Sequence, residues 1–227
     1  MNNFVSLVAA DGHQFDAYIS SPPSEVKGGL VLLQEIFGVN SHIRDVADRY
    51  ASHGYLVLAV PTMSRVQKNV DLGYSETDIK DGFALKLAVD ALENQAVLLD
   101  IQAAINESKK AGKVGIFGYC WGGLLTWRSA CLLEGLSVAG CFYGGGIPNE
   151  KDLKPTCPVI AHFGTQDSYI PMDSVEGFKL AQPAVETWIY EAHHGFNCDQ
   201  RASYNEEAAK LSFSRTLDFF ETNLTKG

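Results

Sequence analysis

The sequence predicts an α/β fold, in which helices cover both faces of a mostly parallel central sheet. Short apolar runs rich in β-branched residues alternate with longer segments of helical period, and this alternation is typical of parallel strands joined by crossover helices. An antiparallel pair of strands near residues 5–9 and 14–19 is expected to precede them. The later strands are predicted at residues 29–34, 55–60, 114–117, 138–143, 159–163 and 187–190.

Helical segments follow most of these strands. Ser41 is a candidate cap for the first helix, and Gly54 and Gly112 follow predicted helix ends, where glycine commonly takes the left-handed backbone conformation. The second helical segment is expected to break near Glu93 and Asn94. The helices are predicted at residues 43–53, 78–108, 122–132, 173–180 and 201–223.

Length and composition favour one domain that spans residues 1–227. The chain has 46% hydrophobic residues and a formal net charge of −9, and the lack of a clustered basic face argues against nucleic acid as a partner. No apolar run approaches the length of about 18 residues that suggests a membrane span, and the N-terminal segment does not resemble a secretory signal. We therefore expect a cytoplasmic monomer that does not bind membranes.

A cysteine occupies a strand-to-helix corner in the segment GYCWGG, residues 118–123. Glycines on either side of Cys120 tolerate a sharp turn that exposes the middle side chain above the sheet, which is the arrangement of a nucleophile elbow. The next helix would direct its N-terminal amides at the thiol and favour the thiolate, and the N–H of Trp121 would donate to a developing oxyanion. The alternative interpretation is a small buried cysteine in a glycine-rich strand end.

An acid and a histidine follow Cys120 at the ends of later strands. Asp167 follows the predicted strand at 159–163, and His194 follows the next strand. This order matches the order nucleophile, acid, histidine of the α/β-hydrolase fold. Taken singly, Asp167 would serve as a turn cap and a loop histidine as a structural group. The adjacent His193 is the other candidate base, and we choose His194 because glycine and phenylalanine follow it.

Four segments together indicate a family. They are LLQEIFGVN at residues 32–40, GYCWGG at 118–123, HFGTQDSYIP at 162–171 and HHGFN at 193–197, and each occurs at its expected place in the order of strands. On these segments the chain resembles the dienelactone hydrolase family, a branch of the α/β-hydrolases with a cysteine nucleophile. The resemblance covers nearly the whole chain, and it implies ester hydrolysis without a metal or other cofactor.

The resemblance also implies a reaction of the carboxymethylenebutenolidase type. Its substrates are small unsaturated enol-lactones that carry a carboxylate, and a thioacyl-enzyme forms as dienelactone is opened toward maleylacetate. By this resemblance, Glu35 pairs with the Cys120 thiol at rest, where a carboxylate disfavours a second negative charge, and helps to remove the thiol proton when substrate binds. Ile36 N–H is implied as the second oxyanion donor beside Trp121. Alternatively, Glu35 is a solvent-facing carboxylate at a strand end.

Substrate binding is assigned to basic and aromatic side chains. Arg201 matches a family position and is expected to open the last helix and to bind the substrate carboxylate in bidentate fashion, although an ordinary arginine at a helix start is the alternative. A second family arginine has no clear counterpart, which leaves as candidates Arg65, Lys68, Lys80 and Lys86. The aromatic residues expected beside Trp121 in an apolar pocket are Phe37, Tyr143 and Phe196.

Two other functions stay open at this point. A broader carboxylesterase or thioesterase would use the same triad on other activated esters without binding a substrate anion. A noncatalytic protein would sense oxidants through Cys120. One further histidine, His162, lies in an apolar strand and is predicted to be a hydrogen-bonded core residue.

Overall fold

A sheet of eight strands runs through residues 3–225, the part of the chain that the structure, a computed structural model, describes. Its strands are β1 (Phe4–Val8), β2 (Gln14–Ser20), β3 (Gly28–Leu33), β4 (Tyr55–Val60), β5 (Val114–Tyr119), β6 (Val138–Phe142), β7 (Val159–Gly164) and β8 (Glu186–Tyr190). They lie side by side in the order β1, β2, β4, β3, β5, β6, β7, β8. Strand β2 is antiparallel to β1 and β4, and all other neighbours are parallel. The predicted α/β class and its antiparallel opening pair are confirmed.

The carboxyl ends of the parallel strands meet at one edge of this sheet. Strand β3 lies in the middle, and its last residue, Leu33, is opposite Val60 of β4 and Gly118 of β5. Every residue of β3 is buried, as expected for an apolar strand that is covered on both faces. The loops after β3, β5, β7 and β8 leave the sheet on the same side, and they contain most of the predicted site residues.

Helices cover both faces of the sheet. Adjacent residues of a strand point to opposite faces: a side chain on Gly28 would meet Leu224 of the last helix, whereas one on Gly29 would meet Ser108 of the third. No helix of the described residues is both long and apolar enough to cross a bilayer. The helices are α1 (Ser41–Ser52), α2 (Glu76–Asp90), α3 (Val97–Ser108), α4 (Trp121–Leu132), α5 (Met172–Ala181) and α6 (Glu206–Thr225).

The first helix is capped by Asn40, so the prediction of Ser41 as its cap is wrong. The side chain of Asn40 accepts a hydrogen bond from the N–H of Ile43 at 3.2 Å. The backbone of Asn40 is extended, with φ −75° and ψ −177°, as a capping residue requires. The Ser41 hydroxyl instead lies 3.2 Å from the side-chain oxygen of Gln200.

The last helix begins later than predicted. It starts at Glu206, where the side chain of Asn205 accepts a hydrogen bond from the N–H of Ala208 at 3.0 Å and caps the helix. Arg201 therefore lies in the preceding loop, in which its N–H donates to the carbonyl of Cys198 at 3.1 Å. The expectation that Arg201 opens the last helix was wrong, and so was the alternative of an ordinary helix-start arginine.

The predicted break in the second helical segment is confirmed. Helices α2 and α3 are separated by residues 91–96, where Asn94 and Gln95 have φ values of 55° and 49°. Such values lie in the left-handed region, which interrupts a right-handed helix. Gly54 and Gly112 follow helix ends, as predicted, and both have positive φ, at 101° and 111°, which glycine adopts without a steric penalty.

His162 of β7 is a hydrogen-bonded core residue, as predicted. Its side chain is fully buried. Its Nδ1 lies 2.9 Å from the Tyr190 hydroxyl and its Nε2 lies 2.8 Å from the Thr216 hydroxyl. Burial disfavours the imidazolium and lowers the pKa of His162 to about 3, so this residue is neutral in the folded protein at physiological pH.

We expect His162→Gln to reduce the loss of stability in mild acid. The pKa of His162 is about 3 in the folded protein, whereas its ordinary value, expected in the unfolded chain, is 6.5. As the pH falls, the unfolded chain therefore takes up a proton at His162 before the folded protein does. The stability contribution is therefore complete above pH 6.5 and is lost as the pH falls toward 3. Between pH 7 and pH 5 the free energy of unfolding falls by about 2 kcal/mol because of His162. Urea unfolding at both pH values should show a smaller loss of unfolding free energy in His162→Gln than in wild type. The exposed His53→Gln is the control and should show the same loss as wild type.

Candidate active site

Cys120 occupies the turn between β5 and α4. Its backbone has φ 55° and ψ −118°, a conformation that residues with a side chain rarely adopt and that persists only where the surroundings enforce it. Two hydrogen bonds hold it: the N–H of Cys120 donates to the carbonyl of Phe142 at 3.0 Å, and the N–H of Gly123 donates to the carbonyl of Cys120 at 2.9 Å. The thiol is thereby fixed above the carboxyl ends of the strands, and it is partly accessible to solvent.

Two glycines beside Cys120 are required by close contacts. A Cβ on Gly118 would lie 2.4 Å from the carbonyl oxygen of Gly122. A Cβ on Gly122 would lie 2.3 Å from the carbonyl oxygen of Leu33 and 2.4 Å from that of Gln34. Only residues without a Cβ allow the first turn of α4 to lie against the end of β3 in this way. The local structure is therefore that of a nucleophile elbow.

His194 and Asp167 form a hydrogen-bonded pair beside this elbow. Asp167 follows β7, His194 follows β8, and the distance from His194 Nδ1 to Asp167 Oδ2 is 2.7 Å. The other carboxylate oxygen of Asp167 accepts a hydrogen bond from the N–H of Tyr169 at 2.9 Å. Both oxygens of this buried side chain are thus held, and the carboxylate fixes the orientation of the imidazole.

Opposing effects determine the protonation of His194. Burial disfavours the imidazolium, but the negative charge of a Cys120 thiolate and the hydrogen bond to Asp167 outweigh it and raise the pKa of His194 to about 10. The imidazole of His194 is therefore protonated at neutral pH when Cys120 carries a negative charge. The adjacent His193 is exposed, and its Nδ1 lies 3.0 Å from the backbone carbonyl of Gln166.

Two backbone amides are available near the thiol. Trp121 is the first residue of α4, where an N–H has no acceptor within the helix, and Ile36 follows β3. Within residues 3–225 neither amide donates to a backbone carbonyl. Helix α2 supports the loop that contains Ile36, because a Cβ on Gly82 would lie 2.3 Å from the Ile36 carbonyl oxygen.

Glu35 is buried and forms an ion pair with Arg201. The distance from Arg201 Nη1 to Glu35 Oε1 is 3.2 Å, and Glu35 is 1% exposed, so the interpretation of a solvent-facing carboxylate is wrong. The other oxygen, Oε2, is buried without a hydrogen-bond partner. The guanidinium of Arg201 lies over the rings of Phe37 and Tyr74, at 5.6 and 5.9 Å from their centroids. The structure thus brings Arg201, rather than the thiol, to Oε1 of Glu35.

A cavity of about 250 Å³ opens above these groups. The predicted Tyr143 and Phe196 do not line it: both are fully buried behind His194, and the Tyr143 ring lies 5.2 Å from the imidazole and 5.0 Å from the Phe196 ring. A larger groove of about 380 Å³ lies beside β1 and β2 and contains none of the predicted catalytic residues. The cavity is lined by Ile36, Phe37, Ile79, Phe83, Lys86, Cys120, Trp121, Gly145, Tyr169, His194 and Arg201.

Sequence comparison decides the family to which this site belongs. The sequence model of the dienelactone hydrolase family matches residues 15–224 of this chain. The chain belongs to the dienelactone hydrolase family. It is 34% identical to a Synechocystis protein assigned to the carboxymethylenebutenolidases, over 93% of both chains, and 32% identical to the carboxymethylenebutenolidase of Pseudomonas putida, over 95% of this chain and 94% of that one.

A solved structure supports the same assignment. A Klebsiella pneumoniae protein assigned to the dienelactone hydrolases is 30% identical to this chain and superposes with a TM-score of 0.80, covering 96% of this chain and 99% of that one. The resemblance found in the sequence and the α/β-hydrolase fold are therefore confirmed. As a dienelactone hydrolase family member, the chain is a hydrolase that acts on ester or lactone bonds.

Four basic residues are candidates for a second cation that binds the substrate carboxylate in this dienelactone hydrolase family member. They lie in different parts of the structure. Lys86 of α2 lines the cavity, and its Nζ is 2.6 Å from a carboxylate oxygen of Asp90. Arg65 forms ion pairs with two aspartates elsewhere, and Lys68 lines the separate groove. Lys80 is exposed on α2 and does not line the cavity. Among these candidates, Lys86 has the best position to meet a substrate.

The outer wall of the cavity is formed by residues that the sequence did not single out. Ile79 and Phe83 line it from α2, and Tyr169 lines it from the loop after β7. A signal was present, because positions 79, 83 and 86 share one face of a helix by their spacing. Tyr169 also lies two residues after the predicted acid, within a segment that the family resemblance already included.

One group of side chains has the composition of a metal site. Within residues 3–225, His42, Cys198 and Asp199 place their ligand atoms within 4.8 Å of one another. His42 Nδ1 lies 3.2 Å from an oxygen of Asp199, which is an ordinary hydrogen bond. His42 also lies in the first turn of α1, where the helix dipole disfavours a cation. Burial and the charge of Glu35 raise the pKa of the Cys198 thiol to about 12, which disfavours a thiolate ligand.

The remaining cysteines are also held as thiols. Burial raises the pKa of Cys131 to about 12 and that of Cys157 to about 11. The pKa of the fully buried Cys141 is raised well above its ordinary value for the same reason. At neutral pH these side chains therefore behave as small apolar groups of the core.

We expect Gly82→Ala to lower the turnover of ester substrates about tenfold, with a smaller effect on KM. The new Cβ would meet the Ile36 carbonyl at 2.3 Å and would displace the neighbouring amide, and loss of an oxyanion donor lowers kcat strongly. Steady-state kinetics on an activated ester measures the effect. Gly177→Ala is the matched control, because its helical Cβ would meet no atom closer than 3.9 Å. Equal kcat values for wild type and both variants would contradict this role of Gly82.

Proposed function

We propose that the protein opens a small unsaturated enol-lactone that carries a carboxylate, with Cys120 as nucleophile, His194 as base and Asp167 as the residue that orients it. The observation that supports this proposal best is that Cys120, His194 and Arg201 line one cavity. A reactive thiol, its base and a guanidinium are thereby within reach of one small molecule. The carboxymethylenebutenolidase of Pseudomonas putida, which is 32% identical, favours the same reaction type.

In the first step the Cys120 thiolate attacks the lactone carbonyl carbon. A C–S bond forms, and the carbonyl oxygen becomes an oxyanion that accepts hydrogen bonds from the N–H groups of Ile36 and Trp121. When this intermediate collapses, the ring C–O bond breaks and the enolate oxygen leaves. The enolate takes a proton from the His194 imidazolium and tautomerises to a ketone, which leaves a thioacyl-enzyme.

In the second step water releases the product. His194, now neutral, accepts a proton from the water molecule as its oxygen attacks the thioester carbon. The oxyanion again accepts hydrogen bonds from the two amides. The C–S bond then breaks and the new carboxylic acid gives up its proton to solvent, which leaves the Cys120 thiolate beside the His194 imidazolium.

Glu35 and Arg201 are proposed to couple substrate binding to this chemistry. At rest, Arg201 is paired with Oε1 of Glu35 at 3.2 Å. A substrate carboxylate would compete for the guanidinium, because Arg binds carboxylates through two parallel hydrogen bonds. Withdrawal of Arg201 would leave Glu35 as an unpaired buried carboxylate, which favours proton uptake. Glu35 then accepts the proton of the Cys120 thiol, which produces the attacking thiolate, and it returns this proton to Cys120 when product leaves and Arg201 pairs with Glu35 again.

The triad assignment predicts that Cys120→Ala and His194→Gln each lower kcat for dienelactone at least a thousandfold. The thiol and the imidazole act in both chemical steps, so removal of either leaves only the binding and oxyanion contributions. Loss of the ultraviolet absorbance of the lactone measures turnover. The matched control is His193→Gln, since this exposed neighbour bonds a backbone carbonyl and is expected to retain activity within a factor of three. Full activity in Cys120→Ala, or a reversed order of the two histidine variants, would refute the assignment.

The second cation is tested by Lys86→Met. We expect KM for dienelactone to rise about tenfold with little change in kcat, because a hydrogen bond to a charged group contributes roughly 1.5–3 kcal/mol and Lys86 is partly exposed. Lys80→Met, on the same helix but outside the cavity, should leave KM unchanged. If both variants changed KM equally, an overall electrostatic effect would replace a direct contact as the explanation.

A further inference from the structure

The mouth of the catalytic cavity exposes three large apolar side chains. Ile79, Phe83 and Tyr169, here called the apolar mouth, are 40%, 52% and 73% exposed, and all three line the cavity that contains Cys120. Single exposed apolar residues are ordinary on a protein surface, but a cluster at the rim of a concave site marks a ligand-binding surface. This cluster has no task in the reaction as described so far.

The apolar mouth is formed by two separate elements. Ile79 and Phe83 are one helical turn apart on α2, and Lys86, on the same face, lies with its Nζ 5.7 Å from the centroid of the Phe83 ring. Tyr169 comes from the loop after β7, and its ring lies edge-on to the His194 imidazole at 5.1 Å between centroids. The two elements contribute aromatic rings to one cavity, and the site can thus enclose an aromatic group more favourably than a polar one.

The position of Tyr169 indicates which end of a substrate the apolar mouth would contact. In the proposed reaction, His194 gives its proton to the leaving enolate oxygen, so this oxygen must lie beside the imidazole. Because Tyr169 is in contact with that imidazole, the edge of the lactone ring at the leaving oxygen would face Tyr169. The enol carbon also carries the arm with the carboxylate, which the proposed function places at Arg201, beside Glu35 and Phe37. A substituent on the ring carbon at the other side of the enol carbon is then the group that faces the apolar mouth.

We propose that the apolar mouth is a subsite for an aryl substituent near the enol carbon of the substrate, so that the preferred substrate is an aryl-substituted, carboxylated enol-lactone. This inference rests on the proposed function, and it adds the class of substituent. Burial of an aromatic ring against Phe83 and Tyr169 removes apolar surface of both partners from water. An unsubstituted dienelactone would leave the mouth in contact with solvent and would forgo this contribution.

The test compares dienelactone with an analogue that carries a phenyl group on the ring carbon beside the enol carbon. We expect wild-type protein to hydrolyse the phenyl analogue with a kcat/KM at least tenfold higher than that of the parent compound. In Phe83→Ala this ratio should fall to about one, and in Ile79→Ala it should fall in the same direction. Leu87→Ala is the matched control, because Leu87 is 51% exposed on the same helix but does not line the cavity; it should retain the wild-type ratio.

The outcomes separate this inference from the proposed function. Hydrolysis of the parent compound with a ratio near one in wild type, or an equal ratio in wild type and Phe83→Ala, would overturn the aryl subsite and leave the proposed function in place. Hydrolysis of neither lactone by folded, reduced protein would overturn both. Light scattering completes the test: a wild-type dimer that becomes monomeric in Phe83→Ala would identify the apolar mouth as an interface between copies of the chain and would also overturn the subsite.

Discussion

The close contact between the first turn of α4 and the end of β3 is the constraint on which the site depends. Gly122 lies so near the carbonyls of Leu33 and Gln34 that a Cβ would not fit. This contact brings Cys120, at the start of α4, beside the loop that begins after β3. The nucleophile and the amide of Ile36 therefore have a common support. A change in the helix-to-strand distance would move one relative to the other, which explains why the contact involves backbone alone.

Electrostatics provide the second level of organisation. On one side of Cys120, the pKa of His194 is raised by negative charge on Cys120 and by the hydrogen bond to Asp167. Elsewhere in the same site, the buried carboxylate of Glu35 is compensated by Arg201. A buried pair of this kind is sensitive to any competing charge, since removal of one partner leaves the other uncompensated in a medium of low dielectric constant. The proposed coupling between an anionic substrate and the thiol follows from that sensitivity.

Sequence patterns predicted the strands and the relative positions of Cys120, Asp167 and His194, because parallel strands place their carboxyl ends together and chain order then orders the loops. Two kinds of feature escaped them. Residues 198–205 form turns whose hydrogen bonds are not visible in a hydrophobic pattern, so the start of α6 was misplaced. An apolar residue that faces a cavity also has the same pattern as one that faces the core, and for that reason Tyr143 and Phe83 could not be distinguished in advance.

The buried cysteines have a consequence for chemical selectivity. Four of the five cysteines have thiol pKa values raised by burial, whereas Cys120 lines a solvent-accessible cavity together with His194. Electrophiles and oxidants react with thiolates. A modifying reagent at neutral pH would therefore be directed to one sulfur atom, so that covalent labelling would count working sites and oxidative damage would begin with loss of turnover rather than with unfolding.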